Sequence, residues 1–369
     1  MLTRRSLLTS VAAAGAATFV LPSVALAAPP DQSTPEGWLA RLAAHRDDVS
    51  AVFSDGAGRR FSHLPDRSMV VASAIKVVHL LAYTTAVAEG RLDPDEQVRV
   101  GDWGARHPYL GDGPTGAGNR LNSLTYLGIP CDEYGVEKNP DQRVPLHSIA
   151  EVMIYFSDNS AADYLRARLG DRALRAAAAR GGWRLPDLRM FSGETLLLFF
   201  PEYCPPPGSP VAVRRAAGDA LSNRFACDLS FRAKVLPRVA EKPPSVEAIM
   251  AWAAASGQGS AAQLFRMHHE IAASRDRAAV LAQQVLGFWF ASERPSGSDA
   301  LLFKGGNLPG FLVLGLDVRW PDRPPGTGAI FLKNCTPTDL QNWPVLRKLC
   351  VDALDRPATF QALERALGH

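Results

Sequence analysis

The chain has 369 residues, 47% hydrophobic and 21% charged, an ordinary globular composition that supports one large domain or two interleaved ones and excludes a disordered chain. Forty basic against 37 acidic residues leave a formal charge of +3, to which Arg4 and Arg5 of a leader contribute, so charge makes no case for nucleic acid or a membrane surface as partner. Five cysteines without a Cys-x-x-Cys pair exclude a disulfide-built scaffold and a paired-cysteine zinc or redox centre.

In chain order, Met1 to Pro30 has a basic start (Arg4, Arg5), an apolar stretch from Leu7 to Val20, and the small-residue run Ala25-Leu26-Ala27. This layout predicts a secretory signal over residues 1–27, cleaved before Ala28, since the apolar stretch is shorter than the roughly 20 residues that cross a bilayer. Thr3-Arg4-Arg5-Ser6-Leu7-Leu8 resembles a twin-arginine export motif. Export to an oxidising compartment makes pairs such as Cys204 with Cys227 or Cys335 with Cys350 possible, with at least one thiol left over.

Val52-Phe53 and Arg60-Phe61 read as two strands joined by the turn Asp55-Gly56-Ala57-Gly58, and Ser73 to Gly90 as a helix. Asp102 to Pro145, rich in Gly, Pro and Asn, reads as a long irregular connection. Helical patterns resume over Leu146–Phe156, Ser160–Leu169 and Arg172–Arg180, and again from the Pro-rich break at Pro201–Pro210 to about Ser292. Three strands follow, Ala300–Phe303, Phe311–Trp320 and Gly328–Leu332, and then terminal helices. The predicted fold is α/β (α+β): an antiparallel sheet built from both chain ends (36–66 and 297–369), flanked by helices, with an all-helical region (67–296) inserted in one catalytic domain, 28–369.

Three short motifs carry chemistry. Ser73-Ala74-Ile75-Lys76 places an amine one helical turn above a hydroxyl, the arrangement in which a desolvated lysine takes the proton of a serine nucleophile; a capping serine with a solvated lysine is the plainer reading of the motif alone, but the apolar flanks Val70–Ala72 and Val77-Val78 suit a buried lysine. Ser157-Asp158-Asn159 breaks two apolar helices and offers a hydroxyl and an amide at the mouth of a cleft, while an N-cap explains only one of the three side chains. Lys304-Gly305-Gly306, followed by Asn307, ends an apolar strand, where a cation can hold a carboxylate; a strand-ending turn is the plainer reading. His268-His269-Glu270 lacks metal spacing and reads as a solvated helix face, so no metal is expected.

Together, in this order, the motifs resemble the active-site set of the serine β-lactamases and penicillin-binding proteins, closest to class A. The resemblance extends over residues 36–200 and 297–365. It implies Ser73 as acylated nucleophile, Lys76 as its base, Ser157 as proton relay, Asn159 for the substrate amide and Lys304 for its carboxylate. It also implies an oxyanion hole from the Ser73 and Asn307 amides beside Gly306, and no cofactor. Gly305 stands where the family has a hydroxyl for the substrate carboxylate. Class A members deacylate through a water-activating glutamate, for which Glu194 in Phe191-Ser192-Gly193-Glu194 is the candidate; a helix-start charge is the equal alternative. The expected partner is a small molecule, a β-lactam or a cell-wall peptide, with no membrane span in the mature chain. Three readings follow: an exported β-lactamase-like hydrolase, a peptidoglycan DD-peptidase or transpeptidase, and a β-lactam-binding sensor without turnover.

Overall fold

A computed structural model describes residues 31–107, 118–206 and 208–368; the expected leader, residues 1–30, lies outside them. Five antiparallel strands from both chain ends form one sheet: β1 (Val49–Ser54), β2 (Arg60–His63), β3 (Ala300–Leu308), β4 (Phe311–Arg319) and β5 (Gly326–Lys333). Their spatial order is β2-β1-β5-β4-β3, which leaves β3 at an edge. Asp55 builds the first hairpin, its carboxylate accepting from the Ala57 and Arg59 amides at 2.8 and 2.9 Å.

Side chains alternate across the sheet with a period of two, so each strand feeds two cores. Phe53, Leu301, Phe303, Leu314 and Ile330 pack under the terminal helices with Trp38, Leu346, Leu349 and Phe360. Val52, Leu302, Val313 and Phe331 face the helical part. The centre of that part is α1 (Lys76–Ala88), buried on nearly every side because it packs against α4 (Asn159–Arg180) and α8 (Arg277–Phe288) as well as other helices. A helix apolar all round belongs in such a position.

Between these lie α2 (Asn119–Tyr126), α3 (Leu146–Tyr155), α5 (Phe191–Phe199), α6 (Val211–Cys227) and α7 (Ala261–Ala273). Gly170, at φ 77°, bends α4 between the two helical stretches read from its sequence.

Four expectations are corrected. The connection over 102–145 contains α2, which apolar periodicity does not reveal because its anchor is a buried arginine. Arg120 bonds Gly135 O, Ser160 Oγ and Glu137 and lies 4.1 Å over the Trp103 ring. His268 is not on a solvated face: it is fully buried between α7 and the sheet, 2.8 Å from Asp317 of β4. Strand β3 does not end before Lys304 but runs through Lys304-Gly305-Gly306-Asn307, paired with β4 throughout. All five cysteines are free thiols; Cys335 and Cys350 are buried, and burial pushes the Cys335 thiol up to about 12.

Candidate active site

The chain reaches Ser73 through a short strand, Met69–Val70, paired with Gln258–Gly259. Ala72 adopts φ 45°, a left-handed conformation that an L-residue takes at a cost, and a single 3-10 turn, Ala72–Ile75, leads into α1. Strand alternation turns Leu302, Lys304 and Gly306 toward this turn. A Cβ on Gly306 would collide with the Ser73 amide nitrogen and meet that of Ala74 at 2.9 Å, so glycine is what lets the strand edge lie against the Ser73 turn.

Lys76, fully buried at the start of α1, joins the first two motifs. Its Nζ lies 3.1 Å from Ser73 Oγ, 3.1 Å from Ser157 Oγ, and 2.6 Å from both Ser157 O and Asn159 Oδ1. Ser157 is the second left-handed residue here, at φ 59°, in the break between α3 and α4. Asp158 caps α4, accepting from Ala161 N at 2.9 Å and Ser160 Oγ at 2.6 Å, so the cap uses neither the Ser157 nor the Asn159 side chain. The third motif arrives from the sheet: Lys304 Nζ donates to Ser157 Oγ at 3.0 Å and to Gly305 O at 2.8 Å. Burial, and then the neighbouring Lys76 charge, hold the Lys304 ammonium well below the usual lysine range.

The structure thus brings Ser73, Lys76, Ser157, Asn159, Lys304 and Gly306 together. Asn307 follows on the exposed part of β3, opposite Leu312. Gly305 faces the other side of the sheet, where a Cβ would meet the Phe303 ring at 2.8 Å and Val313 O at 3.1 Å. The residue there is therefore set by packing under the terminal helices, and a hydroxyl would need Phe303 to move.

Glu194 is buried elsewhere in α5, between two guanidiniums. Its Oε1 accepts from Arg189 at 3.2 Å and its Oε2 from Arg214 at 3.1 and 2.8 Å. A carboxylate with both oxygens in such bonds is a structural anchor and a poor acceptor for a water's proton.

Three further residues shape the site without a sequence signal. Asn119 Nδ2, on α2, lies 3.3 Å from Ser157 O. Asp163, one turn beyond Asn159 on α4, accepts from the amides of Phe191 and Ser192 at 2.7 and 2.8 Å and from Ser192 Oγ at 2.5 Å. Burial pushes its carboxyl up against those bonds. This grip fixes the first turn of α5, and the Phe191 ring lies 4.4 Å from Lys76 Nζ.

Residues 39–196 match the beta-lactamase enzyme family, Beta-lactamase2. No curated protein matches the sequence. Among solved structures, a beta-lactamase from Sphaerobacter thermophilus is 15% identical with a TM-score of 0.55, covering 86% of this chain and 97% of its own. PBP-A is 15% identical with a TM-score of 0.50, covering 89% and 96%. A variant of the chromosome-encoded beta-lactamase of Vibrio parahaemolyticus is 10% identical with a TM-score of 0.50, covering 83% and 93%. At these identities the structures speak to the fold, and the family match spans the first two motifs. Residues 39–196 are thus similar to the beta-lactamase enzyme family, and the chain as described has the fold of the Sphaerobacter thermophilus beta-lactamase and of PBP-A.

Proposed function

We propose that the protein is a serine acyl-transfer enzyme that opens a β-lactam or a cell-wall peptide amide by forming an ester on Ser73, and that it releases the acyl group slowly, as a peptidase or penicillin-binding protein does. The observation that carries the reading is the position of Lys76 Nζ, within 3.1 Å of both the Ser73 and Ser157 hydroxyls. Two buried amines this close do not both keep a proton; with Lys304 holding it, Lys76 is a free amine and accepts the Ser73 proton while Oγ adds to the amide carbonyl. Ser157 then passes a proton to the departing nitrogen and regains one from Lys304, whose burial favours giving it up. The backbone at the Ser73 turn, against Gly306, supports the developing oxyanion.

Slow release is favoured over fast hydrolysis because Glu194 is held by Arg189 and Arg214. A PBP-A variant forms an acyl-enzyme with penicillin G, which makes that compound the natural first probe. Intact-mass spectrometry of the protein mixed with penicillin G, followed after removal of free ligand, should show one adduct that persists through many wash times. An adduct gone within seconds would return the reading to a β-lactamase, and no adduct with penicillin G or an activated ester would overturn acyl transfer.

Export is part of the same proposal. The mature protein should begin at Ala28, and replacing Arg4 and Arg5 by Lys should block passage through a folded-protein route. Continued export of that variant would remove the twin-arginine part, and an intact Met1 on exported protein would remove the cleaved signal.

A further inference from the structure

Resting on the acyl-enzyme reading, the geometry around Lys76 bears on how that ester meets water. Four of the lysine's neighbours are polar: Ser73 Oγ, Ser157 O and Oγ, and Asn159 Oδ1. The side turned to α5 meets the face of an aromatic ring, with the Phe191 centroid 4.4 Å from Nζ. At that separation the ring is in direct contact, and a water hydrogen-bonded to the amine from this side would have to occupy the ring's own volume. The residue is fixed at its backbone and flanked at its ring. Asp163 grips the Phe191 amide at 2.7 Å, and the His79 ring, which burial keeps neutral with a pKa lowered to about 3, lies 6.3 Å away on the buried side.

Hydrolysis of the ester adds a water oxygen to the acyl carbon, breaks the carbon–Oγ bond of Ser73, and returns a proton to that oxygen as a carboxylic acid leaves. Water must therefore approach the acyl carbon with a proton acceptor beside it. Lys76 is the amine next to Ser73 Oγ, and its α5 side is closed by an apolar group, while Glu194, one turn further along the same helix, is turned to Arg189 and Arg214. We propose that the Phe191 ring shields the Ser73 ester from water arriving past Lys76, and so sets the lifetime of the acyl-enzyme. The shield leaves the solvent-facing side of Ser73, Ser157 and Asn159, which are partly exposed, open to an acceptor amine. Such an acceptor forms an amide with the acyl carbon, passes its proton on and frees Ser73, so the residue biases the fate of the acyl group toward transfer.

The test compares wild type, Phe191→Ala, Phe191→Leu and Phe191→Tyr by intact-mass spectrometry. Each is acylated by penicillin G, or by an activated ester where penicillin G gives no adduct, and freed of excess reagent. Phe191→Ala should still be labelled on Ser73 but lose the adduct about tenfold faster or more, because water gains the vacated volume. Phe191→Leu and Phe191→Tyr, which keep apolar bulk, should stay within about threefold of wild type. Equal lifetimes for wild type and a folded Phe191→Ala would overturn the proposal. So would a Leu variant as short-lived as Ala, since bulk then fails to shield and the ring's interaction with the charge is what matters. An absence of any adduct on wild type would instead overturn the acyl-enzyme reading on which the proposal rests.

Discussion

Two buried corners of this protein gather two cations each around one oxygen-bearing side chain, and they do opposite things. At the junction of the three motifs, Lys76 and Lys304 converge on the neutral hydroxyl of Ser157, at 3.1 and 3.0 Å. In α5, Arg189 and Arg214 converge on the carboxylate of Glu194, and Arg189 is held again by Asp187 at 2.9 and 2.6 Å. The first corner buries two amines side by side, so burial, and then the charge of Lys76 when it is protonated, drives Lys304 toward its neutral form and protons can move. The second pairs opposite charges in good geometry, which fixes the helix and keeps its protons where they are. Arginine suits the second role because it holds its proton under almost any burial, whereas lysine suits the first because its proton is easily displaced.

The largest expected break in this contrast is at the nucleophile. Ser73→Ala should form no adduct at all while melting as wild type does, since the proposed acyl bond is carried by the Ser73 hydroxyl; an adduct in the mass spectrum of the variant would place the nucleophile elsewhere. Next comes the strand edge. Gly306→Ala puts a methyl group against the Ser73 and Ala74 amides, which have no flexible side chain to yield, so the acylation rate should drop about a hundredfold or more. A rate within threefold of wild type would show that the turn can retreat without harm.

Glu194→Gln probes the other corner and should behave in the reverse manner. Leaving two guanidiniums against a neutral amide, it should lower unfolding stability by about 2 kcal/mol while acylation and release rates stay within about twofold. Slow release with unchanged stability would instead make Glu194 the water-activating base.

The smallest effect concerns pH. The folded protein holds Lys304 with a pKa below its unfolded value, so between those two values the folded state binds fewer protons than the unfolded state. Stability therefore rises with pH across that window, and the cost of burying the charge is present in full below it. Urea midpoints of wild type should climb relative to those of Lys304→Met as pH rises above neutrality; parallel lines would mean that Lys304 is not penalised by burial.

Much of the Glu194 corner was invisible to sequence reading, and the junction of the three motifs was not. Ser73 and Lys76 are three apart, so one helical turn joins them whatever the rest of the chain does. Ser157-Asp158-Asn159 announces itself as a polar break between apolar helices, and β1, β4 and β5 as alternating apolar runs between turns. The reading failed where a residue's role depends on a distant partner. His268 had the appearance of a polar surface histidine because its partner, Asp317, is 49 residues away. In α5 the carboxylate drew attention to Glu194, while the grip of Asp163, 28 residues from Phe191, aims the first turn at Lys76.

What the sequence alone determined is therefore local: the identity and order of the three motifs, the helical placement of Ser73 beside Lys76, and the strand patterns at the two ends. These follow from spacing and from periods of 2 and 3.6, which neighbouring residues enforce on one another. Tertiary structure decided which groups meet. It brought Lys76 to Ser157 across 81 residues and Lys304 to Ser157 across 147, closed Glu194 between two arginines, and laid the Phe191 ring on the lysine amine. The physical reason is that these contacts arise from packing of whole helices against the sheet, where a turn of 100° per residue in one helix exchanges a carboxylate for an aromatic ring, and no local pattern carries that rotation.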